Sequence, residues 1–377
     1  MVYELRQYNT PLLTFRIEKD EFGEIAYLIE WMNEDKRTLL PIGLNPTAEG
    51  IGKWLRSRTI PKNREFVDQI LARSGLSHND VLGVINICKG LSLNDSYWVV
   101  EKGFAGKFED YNLYQHNFTR TLALIAYTGH GSTNIKGFTS SPEYTTNGML
   151  RKCWRRVDGK IYLYKGGTSG AANAGNEPYS EYYASQIAEA MGIHHVPYGL
   201  AKWKGTLCST CELFTSIDVS FVPIYKFTEN ATLKETANFL KSLGQEFYDE
   251  FADMMVFDAL IYNVDRHAGN YGLLVDSKTN KPIRFAPVFD NGLALLNFAM
   301  EDDLADLGAY LKTRFPAYNG VTFEEIVRIF ISERQKAMLR KLINFKFKKH
   351  PRYNLPDKRL KILEKLIQKR VQEFLAD

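Results

Sequence analysis

Between Ile261 and Gly292 the chain reads IYNVDRHAGNYGLLVDSKTNKPIRFAPVFDNG, and this stretch constrains the fold more than any other. Two short apolar runs, Tyr271–Val275 and Ile283–Phe289, flank the segment DSKTNKP, whose composition is that of a turn. The pattern predicts a hairpin. Setting Val275 opposite Ile283 and counting back places Asn270 opposite Val288 and Ala268 opposite Asp290. The returning strand then carries Asp290 to the mouth of the polar loop that holds Asp265 and Asn270. Gly292 is expected to let the backbone bend away after Asp290. Three oxygen-bearing side chains converge, in the small number that suits a hard cation such as Mg²⁺ with phosphates and water completing its shell.

The spacing also matches a reaction template. In phosphoryl transfer a catalytic-loop Asp is followed five positions later by a metal-binding Asn, and further on by a second Asp before Gly. Asp265, Asn270 and Asp290-Asn291-Gly292 stand in that relation. Asp265 would orient an acceptor hydroxyl and take its proton, while Asn270 and Asp290 would hold Mg²⁺ between phosphates. The plainer alternative is a surface hairpin whose Asp and Asn residues only form turns. Any one of the three fits that alternative as well; the joint spacing does not.

Length and charge bound the remaining options. The 377 residues suffice for two domains, or for one two-lobed unit with an N-terminal extension, and 45% apolar content supports a sizeable core. No run approaches the roughly 18 apolar residues of a membrane helix. The N-terminal MVYELRQYNTPLL lacks a basic segment and an apolar signal core, which argues against secretion by that route. A net charge of +4 is too mild to imply nucleic acid as a direct ligand. Cys208 and Cys211 have metal-ligand spacing, but no second pair or nearby His completes a zinc site, and in a strand they face opposite sides. Cys88, Cys153, Cys208 and Cys211 are read as reduced thiols, which points to a reducing cytoplasm.

Taken in order, residues 1 to about 140 show no catalytic spacing. Leu12–Ile17 and Glu24–Trp31 read as strands joined by EKDEFG, and Asn45–Leu76 reads as helical, with Ile51, Trp54 and Leu55 on one face. Leu91–Val100 and Leu122–Tyr127 read as further strands. Gly129–Asn147 is rich in Gly, Ser and Thr and precedes Gly148, Lys152 and the run IYLYK that ends at Lys165. Such a loop suits a nucleotide cover, in which backbone N–H groups approach phosphates and a Lys supplies charge; it equally suits a solvated connector. Asn176–Gly192 is a helix with Pro178 in its first turn and Gly192 at its end. Glu181, beside its apolar stripe, pairs with Lys165 in one reading and merely complements the helix dipole in the other. Leu207–Phe227 reads as strand, turn and strand, and Gln245–Tyr262 as a helix on which Asp253 and Asp258 are expected to be solvated or capping. Arg334–Arg370 holds 14 Lys and Arg against two acidic residues. Its helix Asp357–Phe374 has an apolar stripe, so the basic residues form a solvated face, or else a patch for an acidic partner.

The assembled pattern resembles the HipA-like serine/threonine kinases, the toxin class of bacterial toxin–antitoxin systems, and within them the compact, stand-alone branch. The resemblance is carried by Pro142 to Gly292. It implies that Asn263-Val-Asp265-Arg-His267-Ala-Gly-Asn270 is the catalytic loop and Phe289-Asp290-Asn291-Gly292 the metal motif. It implies further that Lys165 meets ATP phosphate, that Glu181 is the helix Glu, and that Cys211–Phe214 is the hinge, with backbone at Glu212 and Phe214 on adenine. Gly148, Lys152 and His267 complete the implied ATP-binding set. Asn263-Val264 stands where ordinary protein kinases have His-Arg, and Asn291 where they have Phe, which excludes a typical eukaryotic protein kinase.

The expected fold is α+β and two-lobed, protein-kinase-like, with a β-rich N-lobe, a mainly helical C-lobe and an N-terminal extension. Residues 1–140 are assigned to the extension, 141–214 to the N-lobe and 215–377 to the C-lobe. The expected function is Mg·ATP-dependent phosphorylation of Ser or Thr on a protein, with self-phosphorylation and an antitoxin partner implied by the resemblance. The location is the bacterial cytoplasm, with export as an effector left open. Two alternatives stand: a lipid or small-molecule kinase using the same Asp-Arg-His-x-x-Asn loop, and a catalytically silent kinase-fold scaffold.

Overall fold

The structure, a computed structural model, describes residues 1–19, 25–131 and 140–376. These residues hold eleven strands and twelve α-helices in two compact units. The first unit comprises Met1–Tyr164, Thr215–Val222 and Leu274–Ile283; the second comprises Lys165–Phe214, Pro223–Leu273 and Arg284–Asp377.

In the first unit, β1 (Val2–Gln7), β2 (Thr10–Lys19), β3 (Ile25–Met32) and β4 (Tyr97–Glu101) form an antiparallel sheet of order β3-β2-β1-β4. Alternation on these strands turns Leu5, Leu13, Phe15 and Val99 into one core. The strands expected from Leu12 and from Glu24 correspond to β2 and β3, while residues 20–24 of the connection EKDEFG lie outside the described residues. Helix α1 (Ala48–Ser57) adds Ile51, Trp54 and Leu55 to that core, and Thr47 caps it by accepting from the Gly50 N–H at 3.1 Å. Helices α2 (Val67–Ala72) and α3 (Val81–Cys88) follow.

The Leu122–Tyr127 run is a helix, not a strand: α4 spans Arg120–Thr128. It is buried on nearly all sides, so its apolar residues show no stripe, and a short continuous run of this kind suits either element. Gly129, at φ +74°, closes it by donating to the Ile125 carbonyl at 2.8 Å. Strands β5 (Lys152–Val157) and β6 (Lys160–Gly166) come next, and β6 passes Lys165 into the second unit.

The second unit is mainly helical. Helix α5 (Glu177–Met191) ends at Gly192, φ +83°, and β7 (Gly199–Trp203) pairs antiparallel with β8 (Thr206–Glu212). Strand β9 (Val219–Pro223) and the hairpin strands β10 (Gly272–Asp276) and β11 (Pro282–Phe285) divide their residues between the units. The Ala286 N–H donates to the Gly272 carbonyl at 2.9 Å, as Val275 against Ile283 requires, but the ladder does not continue to the expected pair Asn270–Val288. The Val288 N–H goes instead to the His194 carbonyl at 2.9 Å, because a parallel bridge to His195 takes that position. After β9 come α6 (Leu233–Leu243) and α7 (Gln245–Ile261), and after β11 come α8 (Glu301–Ala305), α9 (Leu307–Leu311), α10 (Phe323–Phe330), α11 (Glu333–Arg340) and α12 (Asp357–Ala376). Phe251 of α7 packs against Tyr271, Phe285 and Phe330 at ring separations of 5.3–6.2 Å.

Two charge expectations on these helices fail. Asp253 and Asp258 are buried, because each has a specific partner: Asp253 accepts from Arg334 and Gln335 at 2.7 Å, and Asp258 meets Arg266. On α12 the apolar stripe is buried as expected, yet Arg370 is buried with it, donating to the Ala259 carbonyl at 2.9 Å and lying over Tyr262. No helix among the described residues is long and apolar enough to cross a membrane.

Candidate active site

Helix α7 delivers the chain into the site. It stops at Tyr262, which takes a left-handed φ of +52°, and the Asn263 N–H returns to the Asp258 carbonyl at 2.9 Å. Asn263 then works in both directions, donating its amide to Asp258 Oδ1 at 3.0 Å and accepting from the Asp265 N–H at 3.1 Å. The loop closes on itself where the His267 N–H reaches the Asp265 carbonyl at 2.7 Å and the Asn270 side-chain amide reaches the same carbonyl at 3.0 Å. That last bond fixes the Asn270 amide and leaves Oδ1 as its acceptor end.

Beneath the loop lies Arg266, 1% exposed. Its guanidinium takes Asp258 with Nε at 2.7 Å and Nη2 at 3.0 Å, a two-point pairing that only Arg can make. It also donates to the carbonyls of Asn270, at 2.9 Å, and Phe289, and to Asn291 Oδ1 at 2.6 Å. One buried cation thus ties the end of α7, the Asp265 loop and the segment around Asp290 together. The sequence pattern gave Asp258 only a solvated or capping place and Arg266 no role of its own. The available signal was Asp258 itself, a lone charge inside the run MMVFDALI, where every neighbour is apolar.

Asp290 is the residue that turns the chain, with φ +56°. Gly292, expected to supply that bend, lacks the left-handed conformation; its side faces Glu177, Glu181 and the Lys165 ammonium, with a Cβ there meeting them at 3.5–3.7 Å. An Asp tolerates the left-handed region better than most residues, so the Asp290 carboxylate sits on the turn.

The charged centre consists of Lys165, Glu181 and Asp290. The Lys165 ammonium donates to Glu181 Oε1 at 3.0 Å and to Asp290 Oδ1, while Glu181 Oε2 accepts from the Asn291 N–H at 2.8 Å. Ser180, one residue earlier on α5, donates to the carbonyls of Asn291 and Ala294 at 2.7 and 2.8 Å. Burial lowers the Lys165 pKa, but the adjacent carboxylates of Asp290 and Glu181 outweigh it and leave the amine firmly protonated. Burial, followed by the charge of Asp290, raises the Asp265 carboxyl above its ordinary range, which brings Asp265 electrostatically into the same cluster.

The remaining predicted residues are placed as follows. His267 is exposed, and its Nδ1 accepts from the Gly269 N–H at 3.0 Å. Glu212 is exposed at the end of β8, and the Phe214 ring lies tilted against Phe289, next to Asp290, with centroids 5.3 Å apart. Gly148 and Lys152 belong to the first unit and meet each other: the Lys152 ammonium donates to the Asn147 carbonyl at 2.8 Å and occupies the space a Cβ on Gly148 would need. All four cysteines are free thiols, and no cluster of three or more His, Cys, Asp or Glu suited to a metal occurs among the described residues.

A donor set of carboxylate and amide oxygens with a protonated Lys beside it fits a hard cation that brings phosphates with it. Mg²⁺ takes one or two protein carboxylates and fills its octahedron with water and phosphate.

Residues 145–328 match the family model described as the HipA-like C-terminal domain. The serine/threonine-protein kinase CtkA of Helicobacter pylori strain J99 is 30% identical over 34% of this chain, and the match spans 43% of CtkA, under half its length. The crystal structure of the Helicobacter pylori proinflammatory kinase CtkA covers 60% of this chain and 90% of its own at 18% identity, with a TM-score of 0.43. A chain of the Shewanella oneidensis MR-1 complex of HipA, HipB and operator DNA covers 99% of this chain and 97% of its own at 12% identity, with a TM-score of 0.54. Residues 145–328 thus carry a segment like the HipA-like C-terminal domain, and the α+β chain shares its fold with a chain of that Shewanella oneidensis complex.

Proposed function

We propose, from the HipA-like C-terminal domain that residues 145–328 match, that this chain is a Mg·ATP-dependent serine/threonine protein kinase of the HipA-like class. One observation supports this most. Lys165 holds Glu181 and Asp290 at once, joining the cation for phosphates, its anchoring helix and the metal carboxylate in a single cluster.

Lys165, anchored by Glu181, exchanges its bond to Asp290 for phosphate oxygens when nucleotide enters. Asp290 and Asn270 would hold Mg²⁺, which would supply positive charge to offset that of the phosphates. Asp265 orients the acceptor hydroxyl and receives its proton. Backbone at Glu212 and Phe214 takes the adenine, and Gly148, Lys152 and His267 belong to the nucleotide-binding set. We keep 1–140, 141–214 and 215–377 as the functional divisions, with a protein substrate and an antitoxin as partners. Self-phosphorylation falls within residues 139–146. Thr139 lies outside the described residues, and Ser141 and Thr145 are buried in the conformation seen.

Incubation with labelled ATP, alone and with protein or lipid acceptors, tests this reading. Label in protein supports it. Label in lipid alone would transfer the assignment to the lipid kinases, whose Asp-Arg-His-x-x-Asn loop the chain shares, and no label anywhere would leave the silent scaffold.

A further inference from the structure

The conformation of Asp290 needs an explanation beyond Lys165. A left-handed φ of +56° is costly for a residue other than Gly and persists only where the surroundings fix it. Glu181 and Ser180 hold the next residue, Asn291, and act on Asp290 only through the chain. The backbone of Asp290 itself is held elsewhere: its N–H donates to the phenol oxygen of Tyr198 at 3.2 Å.

Tyr198 stands on a splint. The Val196 N–H donates to the Val288 carbonyl and the Val288 N–H to the His194 carbonyl, both at 2.9 Å, so 194–196 and 288 form a parallel bridge. That bridge, His195 with Val288, lies two residues ahead of Asp290 on one side and three ahead of Tyr198 on the other. Ala188 and Glu189 of α5 accept from Gly192, so the splint starts at the C-terminus of the helix that carries Glu181. The phenol is thereby delivered to the backbone N–H of Asp290.

We propose that Tyr198 is a positioning residue for Asp290: its hydroxyl fixes the left-handed turn that aims the carboxylate, and so sets the affinity of the site for Mg²⁺ bound with nucleotide. The inference rests on the Mg·ATP reading above. The Tyr198 phenol meets the Cys211 thiol as well as the Asp290 N–H, and its influence on the cation passes through the Asp290 backbone.

Tyr198→Phe keeps the ring and removes the acceptor. The test measures binding of a non-hydrolysable ATP analogue by calorimetry across a Mg²⁺ titration, and again without Mg²⁺. Losing one hydrogen bond to a half-buried N–H should raise the Mg²⁺ midpoint about five- to tenfold, with Mg²⁺-free binding unchanged. In an Asp290→Asn background the same substitution should shift nothing further, because its effect passes through that carboxylate. A second measurement needs no variant: in the nucleotide-free protein the Asp290 amide should be protected from hydrogen exchange. An equal Mg²⁺ midpoint in Tyr198→Phe, an equal loss of Mg²⁺-free binding, or an unprotected Asp290 amide would each overturn the assignment while leaving the Mg·ATP reading intact. A native protein whose analogue binding ignores Mg²⁺ would overturn both.

Discussion

Arg266 and Asp258 form a fully buried, two-point ion pair, 1% and 2% exposed, directly beneath the loop that carries Asp265. The pair lies one residue from Asp265 and closes the path back to α7, so the geometry of the loop depends on a salt bridge that never meets solvent.

Replacing Arg266 should therefore cost stability before chemistry is considered. Arg266→Met leaves the Asp258 carboxylate buried without its cation, a change expected to destabilise by about 3–5 kcal/mol. Arg266→Lys keeps the charge but cannot hold Asp258, Asn291 Oδ1 and two carbonyls together, and should fall between. Urea unfolding of the three proteins checks the order.

Asp265 and Asp290 should separate by role. Asp265→Asn is expected to leave nucleotide binding nearly intact while lowering transfer by roughly 10²–10⁴-fold, the usual size of a lost proton acceptor. Asp290→Asn should weaken Mg·ATP binding as well as turnover. Calorimetry with and without Mg²⁺, beside phosphoryl transfer, distinguishes them, and melting curves should show both variants folded. Abolished ATP binding in folded Asp265→Asn, or normal transfer by Asp290→Asn, would reverse the roles.

A pH effect is expected in the first unit. Glu143 and Arg64 pair at 3.1 Å with almost no exposure, and Glu143 also accepts from the Trp154 N–H at 2.8 Å. Burial outweighs Arg64 and Lys152 and pushes the Glu143 carboxyl up to about 7, from an ordinary 4.5. Between those values the folded state binds more protons than the unfolded, so this contribution to stability falls as pH rises from 4.5 through 7. The fall is at most about 3 kcal/mol. Glu143→Gln should remove that part of the slope in unfolding measured from pH 5 to 8.

Self-phosphorylation, where it occurs, should require the segment to open. Thr145 Oγ1 donates to the Leu91 carbonyl at 2.9 Å and Ser140 Oγ to the Cys88 carbonyl at 3.2 Å, so neither hydroxyl is presented to a nucleotide as it stands. A phosphate adds about −1.5 to −2 charge and cannot return to those positions. Mass spectrometry after ATP incubation should find phosphate within 139–146, and limited proteolysis should cut the modified segment faster. Phosphate found only outside 139–146 would reject the site.

What the sequence determined by itself was local. The turn composition of DSKTNKP and the period of its flanking runs suffice for the hairpin and its pairing of Gly272 with Ala286, though not for the path beyond, where Val288 turns to His194. Pro178 and Gly192 bracket α5 for the same reason, since capping is decided within a few residues. Tertiary structure decided the rest. Leu122–Tyr127 became helix because burial on nearly all sides erased the stripe that would have marked it. Asp258, Arg266 and Arg370 became interior because partners distant in the chain neutralise them, and the bend fell to Asp290 because Tyr198, 92 residues earlier, holds its N–H. A charge or a strained φ is tolerated only where other segments surround it, and periodicity along one segment carries no record of which segments those are.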